Sequence, residues 1–122
     1  MAKLLIVDDE DDVREFAASF FRKRKIDVIT ASSGEEALTK IENEKPHLVL
    51  LDIKMPGIDG LQTLECLRKN DAATKVIMVT GKKPDEDEIF NKCKLLGASN
   101  YIHKPLELDE LEKVVLKELL IL

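Results

Sequence analysis

Short aliphatic runs alternate with longer stretches of three- and four-residue periodicity along the whole chain. Residues 4–7, 48–51 and 76–79 are nearly continuous aliphatic runs, the pattern of parallel strands buried on both faces. Residues 26–30 alternate and residues 100–103 form a short run, which predicts two edge strands. Between them, Val13, Phe16, Ala17, Phe20 and Phe21 predict an amphipathic helix over residues 10–24 with that stripe turned inward. Ala37, Leu38 and Ile41 mark a second helix, opened by Ser32-Ser33-Gly34-Glu35 with a serine at its N-cap. Leu61, Leu64 and Leu67 mark a third, and Ile89, Cys93 and Leu96 a fourth that Gly97 stops. The last carries Leu108, Leu111, Val115, Leu119 and Leu122. Beyond that stripe, Val114, Leu116, Leu120 and Ile121 are more than one buried face readily absorbs; they read as an exposed contact surface, against the alternatives of a more deeply buried helix or a lead from residues 120–122 into another domain. The order is (βα)5, an α/β fold with a doubly wound parallel sheet and right-handed crossovers, whose ligands gather beyond the carboxyl ends of the strands.

Composition narrows the setting. With 122 residues and 44% apolar content, the chain suits one domain across residues 1–122, which should bury roughly two-thirds of its unfolded surface. Nineteen Lys and Arg against 24 Asp and Glu, a net charge of −5, argue against direct nucleic-acid binding, which requires many neutralised phosphates. Cys66 and Cys93 each lie in an apolar helical pattern and form no CxxC pair, so both are expected to be reduced core thiols. No stretch approaches the ~18 apolar residues of a membrane span and the first residues lack a signal-peptide core, so the cytoplasm is the expected compartment. Two histidines, His47 and His103, cannot make a zinc triad alone and are expected to be structural or solvated.

Polar residues follow the predicted strands: Asp8-Asp9 after the first, Asp52 closing the third, Thr80 closing the fourth, and Lys104-Pro105 after the fifth. Three carboxylates converging on one cleft repel one another and need a cation; hard oxygen ligands favour Mg²⁺. A carboxylate beside Mg²⁺, a lysine and a hydroxyl suits phosphoryl transfer, with Asp52 able to act as the nucleophile. The acidic run over residues 8–12 also reads simply as negative charge at a helix N-terminus. Asp52 is harder to explain that way, because Met55-Pro56-Gly57-Ile58-Asp59-Gly60 gives it a shaped turn.

These residues carry a resemblance over essentially the whole chain. Leu5-Ile6-Val7-Asp8-Asp9-Glu10, Leu50-Leu51-Asp52-Ile53-Lys54-Met55-Pro56-Gly57-Ile58-Asp59-Gly60, Met78-Val79-Thr80-Gly81 and Gly97-Ala98-Ser99-Asn100-Tyr101-Ile102-His103-Lys104-Pro105 resemble, in order and spacing, the receiver domain of bacterial two-component response regulators. The resemblance implies a flavodoxin-like sheet of order 2-1-3-4-5 and a signalling switch rather than a conventional enzyme. It makes Asp52 the phosphoacceptor, with Asp8, Asp9, Asp52 and the backbone carbonyl of Lys54 holding Mg²⁺. Lys104 would meet the phosphoryl oxygens and Thr80 would offer its hydroxyl, with Gly81 leaving room beside it. Tyr101 would be the aromatic switch, and Lys104-Pro105 a cis bond.

The implied partners are a sensor histidine kinase or phosphotransfer protein on the input side. On the output side stands an effector protein or output domain, reached through the face of the fourth helix, fifth strand and fifth helix. A phosphorylation-dependent dimer is compatible with this. The residues themselves suggest a stand-alone receiver, since no output module lies within them. Lys54 and Lys82 are basic at variable positions near the site and read most simply as solvated loop lysines.

Three other functions compete. An aspartate-nucleophile phosphohydrolase would need a second acid two residues after the nucleophile, where Lys54 stands. A flavodoxin-like cofactor protein would need a first turn rich in Gly, Ser and Thr instead of the acidic residues 8–12. A degenerate scaffold receiver would not retain all the site residues.

Overall fold

The computed structural model describes residues 2–81 and 87–120. Five strands alternate with five helices: β1 Lys3–Val7, α1 Asp11–Arg22, β2 Asp27–Ala31, α2 Gly34–Glu44, β3 Leu48–Asp52, α3 Gly60–Asn70, β4 Lys75–Thr80, α4 Asp87–Leu95, β5 Asn100–His103 and α5 Leu108–Leu120. The strands pair in parallel in the order β2-β1-β3-β4-β5. Burial follows the sequence pattern. Every residue of β3 is buried, and β1 and β4 are buried beyond their first residue, whereas β2 and β5 at the edges are buried only in part.

Because successive strand residues face opposite sides, the sheet divides the apolar residues into two cores. On one side Leu4, Ile6, Leu50, Ile77 and Val79 meet α1 and α5 through Ala17, Phe21, Leu111 and Val115. On the other, Leu5, Val7, Val49, Leu51 and Met78 meet α2, α3 and α4 through Ala37, Ile41, Leu64 and Cys93. The folded chain exposes 6948 Å², about a third of what an unfolded chain of its mass exposes. No helix among the described residues is long and apolar enough to cross a membrane.

Local signals set the helix ends. The Ser33 hydroxyl accepts from the Glu36 N–H at 3.1 Å, as the serine cap predicts. Asp59 and Gln62 form a reciprocal capping box at the start of α3, with bonds of 2.8 and 2.9 Å. Gly97 ends the α4 segment at φ +77°, a left-handed conformation that glycine adopts without penalty.

Several helix-face expectations are corrected. Cys93 is buried, but Cys66 is exposed. The buried face of α3 runs through Thr63, Leu64 and Leu67, so Cys66, a 100° step from Leu67, turns outward. Phe16 is 53% exposed. The stripe of α1 centres on the small Ala17 and Ala18 and on Phe21, which leaves Phe16 at the rim. Leu108 is also exposed. The surplus on α5 is smaller than expected, because Val114 and Leu116 pack against the core and Leu120 alone of the described surplus residues stands out, at 84% exposure. Ile121 and Leu122 lie outside the described residues, as does Lys82.

Candidate functional site

Backbone ladders continue past the strand ends and fix the polar residues there. The Asp8 N–H donates to Ala31 O at 3.2 Å, the Ile53 N–H to Val79 O at 2.8 Å, and the Lys104 N–H to Thr80 O at 2.7 Å. Asp8, Asp52 and Thr80 are thereby held buried at the carboxyl edge of the sheet. The Lys104–Pro105 bond is cis. The start of α3 lies hard against β3: the Gly60 N–H donates to Ile53 O at 2.7 Å, and a Cβ at Gly60 would overlap the Asp52 carbonyl oxygen.

Three of the sequence candidates come together closely. One carboxylate oxygen from each of Asp8, Asp9 and Asp52 lies within 4.8 Å of the others. Lys104 Nζ stands 3.1 Å from Asp52 Oδ2 and 3.3 Å from Asp8 Oδ2. Burial, and next the Asp8 carboxylate, push Asp52 above its ordinary value, and the Lys104 ammonium only partly opposes them. Burial alone would pull Lys104 down, but Asp52 and Asp8 together hold its ammonium above its ordinary value. One lysine facing three acids leaves excess negative charge. An all-oxygen set of this span fits a small hard cation, and Asp8, Asp9 and Asp52 are the residues that would hold it.

Beside the acids, on the α3–α4 side, Thr80, Gly81, Tyr101, Ile53, Lys54 and Met55 border a cleft of about 410 Å³. Lys54 is exposed there, in keeping with a solvated loop lysine. A Cβ at Gly81 would meet nothing within 4 Å, so the space beside Thr80 is open. A larger cleft, about 640 Å³ between α2 and α3, is lined by residues remote from the acids, among them Ile41, Cys66 and Asp71.

One residue near the site, Arg14, escaped the sequence reading. Arg14 donates from Nη1 to the Asp8 carbonyl at 2.9 Å and from Nη2 to Asp11 Oδ1 at 2.6 Å, bracing the acidic turn. Its spacing three residues after Asp11 was the available signal. His47 is exposed and accepts from the Lys3 N–H through Nδ1 at 2.9 Å, a structural role as expected. His103 is neither solvated nor satisfied: both ring nitrogens are buried without a hydrogen-bond partner.

Comparison with known proteins agrees with this geometry. Residues 4–116 match the family model described as the response regulator receiver domain. The Bacillus subtilis alkaline phosphatase synthesis transcriptional regulatory protein PhoP is 39% identical over 103 residues, 84% of this chain and 42% of that protein. Sporulation initiation phosphotransferase F of the same organism is 36% identical over 117 residues, 96% of this chain and 93% of that one. The chain thus spans less than half of the first relative but nearly all of the second. Among solved structures, the response regulator TrrA of Thermotoga maritima, in complex with Mg²⁺–BeF, superposes with a TM-score of 0.85 at 35% identity, covering 98% of this chain and 100% of that one. Buried acids at the carboxyl edge of a 2-1-3-4-5 sheet and likeness at these levels lead to one conclusion: the chain belongs to the response regulator receiver domains, the two-component signalling modules that are phosphorylated on an aspartate.

Proposed function

We propose that Asp52 is the phosphoacceptor and that the protein is a switch set by its phosphorylation. The observation that carries this is the position of Asp52, buried at the end of the central strand with its Oδ2 in contact with Lys104 and within reach of Asp8 and Asp9. An Asp52 carboxylate oxygen attacks the phosphorus of a phosphohistidine on a sensor kinase or phosphotransfer protein, or of a small phosphodonor. The new O–P bond forms as the P–N bond of the phosphohistidine breaks, and the departing imidazole nitrogen keeps the electron pair and takes a proton from solvent; with acetyl phosphate the P–O bond breaks instead and acetate leaves with the pair. Asp8, Asp9, Asp52 and the Lys54 carbonyl would hold Mg²⁺, which would neutralise phosphoryl oxygen charge; the Mg²⁺–BeF complex of TrrA supports that choice. Lys104 meets a phosphoryl oxygen as a point charge, and its fixed place on the ladder from Thr80 aims it.

Thr80 then turns its hydroxyl toward the phosphoryl group and Tyr101 moves into the cleft that both border. This alters the face made by α4, β5 and α5, where a cytoplasmic effector, an output domain or a second copy binds. The role is signalling, and the only chemistry is the protein's own phosphorylation and the hydrolysis of that phosphate. The test is mass spectrometry after acetyl phosphate and Mg²⁺. One added phosphoryl group is expected in the wild type and none in Asp52→Ala; retention of the added mass in that variant overturns the assignment.

A further inference from the structure

His103 is half-buried, and among the described residues it is the side chain whose ring nitrogens are both buried without a hydrogen-bond partner. Such a group costs stability and calls for an explanation, since buried polar atoms are nearly always paired. Its position supplies one. His103 pairs in register with Thr80 across β4 and β5, and paired residues of parallel strands project to the same face. Alternation along β5 puts Tyr101 on that face too, and its ring meets the His103 ring edge to face with centroids 5.5 Å apart. The backbone is locked at this point by the bond from Lys104 N–H to Thr80 O. An unsatisfied imidazole therefore stands between the two residues proposed to move and immediately before the lysine that meets the phosphate.

We propose that His103 is a positioning residue for the phosphorylated state: its imidazole N–H donates to the Thr80 hydroxyl oxygen once that hydroxyl has turned to donate to a phosphoryl oxygen. A hydroxyl donates one hydrogen and accepts at its lone pairs, so Thr80 serves both partners at once, and each bond polarises the other. The unmodified state bears the cost of the empty imidazole and the phosphorylated state removes it, which biases the switch toward phosphate binding. This inference rests on the role given to Thr80 above.

The test uses beryllofluoride with Mg²⁺ as the phosphoryl mimic on the full chain. His103→Phe keeps the ring and its contact with Tyr101 but removes the donor, whereas His103→Gln retains an N–H. The Phe variant is expected to melt higher than wild type when unmodified, yet to bind beryllofluoride about tenfold more weakly, the loss of one hydrogen bond. The Gln variant should recover most of that affinity. A merely structural histidine would not couple a gain in stability to a loss of affinity. In the wild type, the imidazole ¹⁵N resonances should shift on saturation with beryllofluoride, a readout that stands even where a variant fails to fold. Unchanged affinity in His103→Phe, or unchanged imidazole shifts, overturns the proposal. Thr80→Val separates the two layers: if it binds beryllofluoride as tightly as wild type, or if wild type does not bind it, the reading of the site falls and this inference with it. If Thr80→Val weakens binding and His103→Phe does not, this inference alone falls.

Discussion

At the amino ends of the strands charged side chains are matched to backbone or to opposite charge, while at the carboxyl ends three carboxylates are set close to one another. At the amino end, Lys3 Nζ meets Glu44 Oε1 at 3.1 Å and the Lys3 N–H donates to His47. Arg68 reaches three carbonyls there, Leu96 O at 2.6 Å, Asp71 O at 3.1 Å and Gly97 O at 3.3 Å, tying α3 to the end of α4. Asp71 accepts from the Ala73 and Thr74 N–H groups at 2.9 Å each and from the Thr74 hydroxyl. At the other end the carboxylates of Asp8, Asp9 and Asp52 converge, and one lysine, Lys104, meets Asp8 and Asp52. Side-chain charge is balanced at the end remote from the acids. The site end is left with an excess of carboxylates over lysine.

This contrast is open to attack from both sides. The largest expected effect is from Mg²⁺, which at 100 times its Kd should raise unfolding stability by about 2.7 kcal/mol. Urea denaturation with and without the metal measures it, and Asp9→Ala should show almost none of the gain. Next comes Arg68→Met, which leaves three carbonyls without their shared donor and should cost about 2 kcal/mol. Phosphorylation of Asp52 by acetyl phosphate should continue in that variant; its loss would mean the two ends are not separate.

Asp52→Asn should have the opposite sign. Burial and Asp8 raise the Asp52 pKa, so the folded state holds that proton more tightly than the unfolded chain. The associated stability is fully present below the ordinary value of 3.8 and is lost as pH rises through the raised one. At pH 7 without metal, Asp52→Asn should therefore raise Tm, by roughly 2–6 °C, and calorimetry showing a fall would refute the picture of repulsion.

The smallest effect is at Asp71, whose carboxyl is held below its ordinary value by the Thr74 hydroxyl first, then by backbone N–H groups and Arg68, against a smaller push from burial. Its contribution is present above the ordinary 3.8 and disappears as pH falls through the lowered value. Asp71→Ala should cost about 1 kcal/mol at pH 7, with the difference from wild type narrowing in strong acid.

The sheet was legible because its code is simple. Aliphatic runs bounded by acids or a threonine mark buried parallel strands, and the polar residue ending each one must lie at the carboxyl edge. Asp8, Asp52, Thr80 and Lys104 could be placed together before any coordinate was known. Helix faces were less legible. A stripe of apolar residues gives a direction only to within about one residue, so Phe16, Leu108 and Cys66 read as buried and are not. Arg68 left no trace in the pattern, since a long polar side chain reaches carbonyls 28 and 29 residues away without any periodic signal. The state of His103 was equally hidden, because an absent hydrogen bond depends on what the neighbours fail to offer.

The contact between Gly60 and the Asp52 carbonyl constrains how this sequence can drift. With α3 starting against the end of β3, the segment from 53 to 59 is a spacer of fixed length, and one residue more or fewer would push the helix away from the sheet or pull β3 out of line. A library varied in both composition and length across residues 53–60, sorted only for folding, should return many side chains at the exposed Lys54 and Pro56. It should return a single length, with glycine alone in the last place.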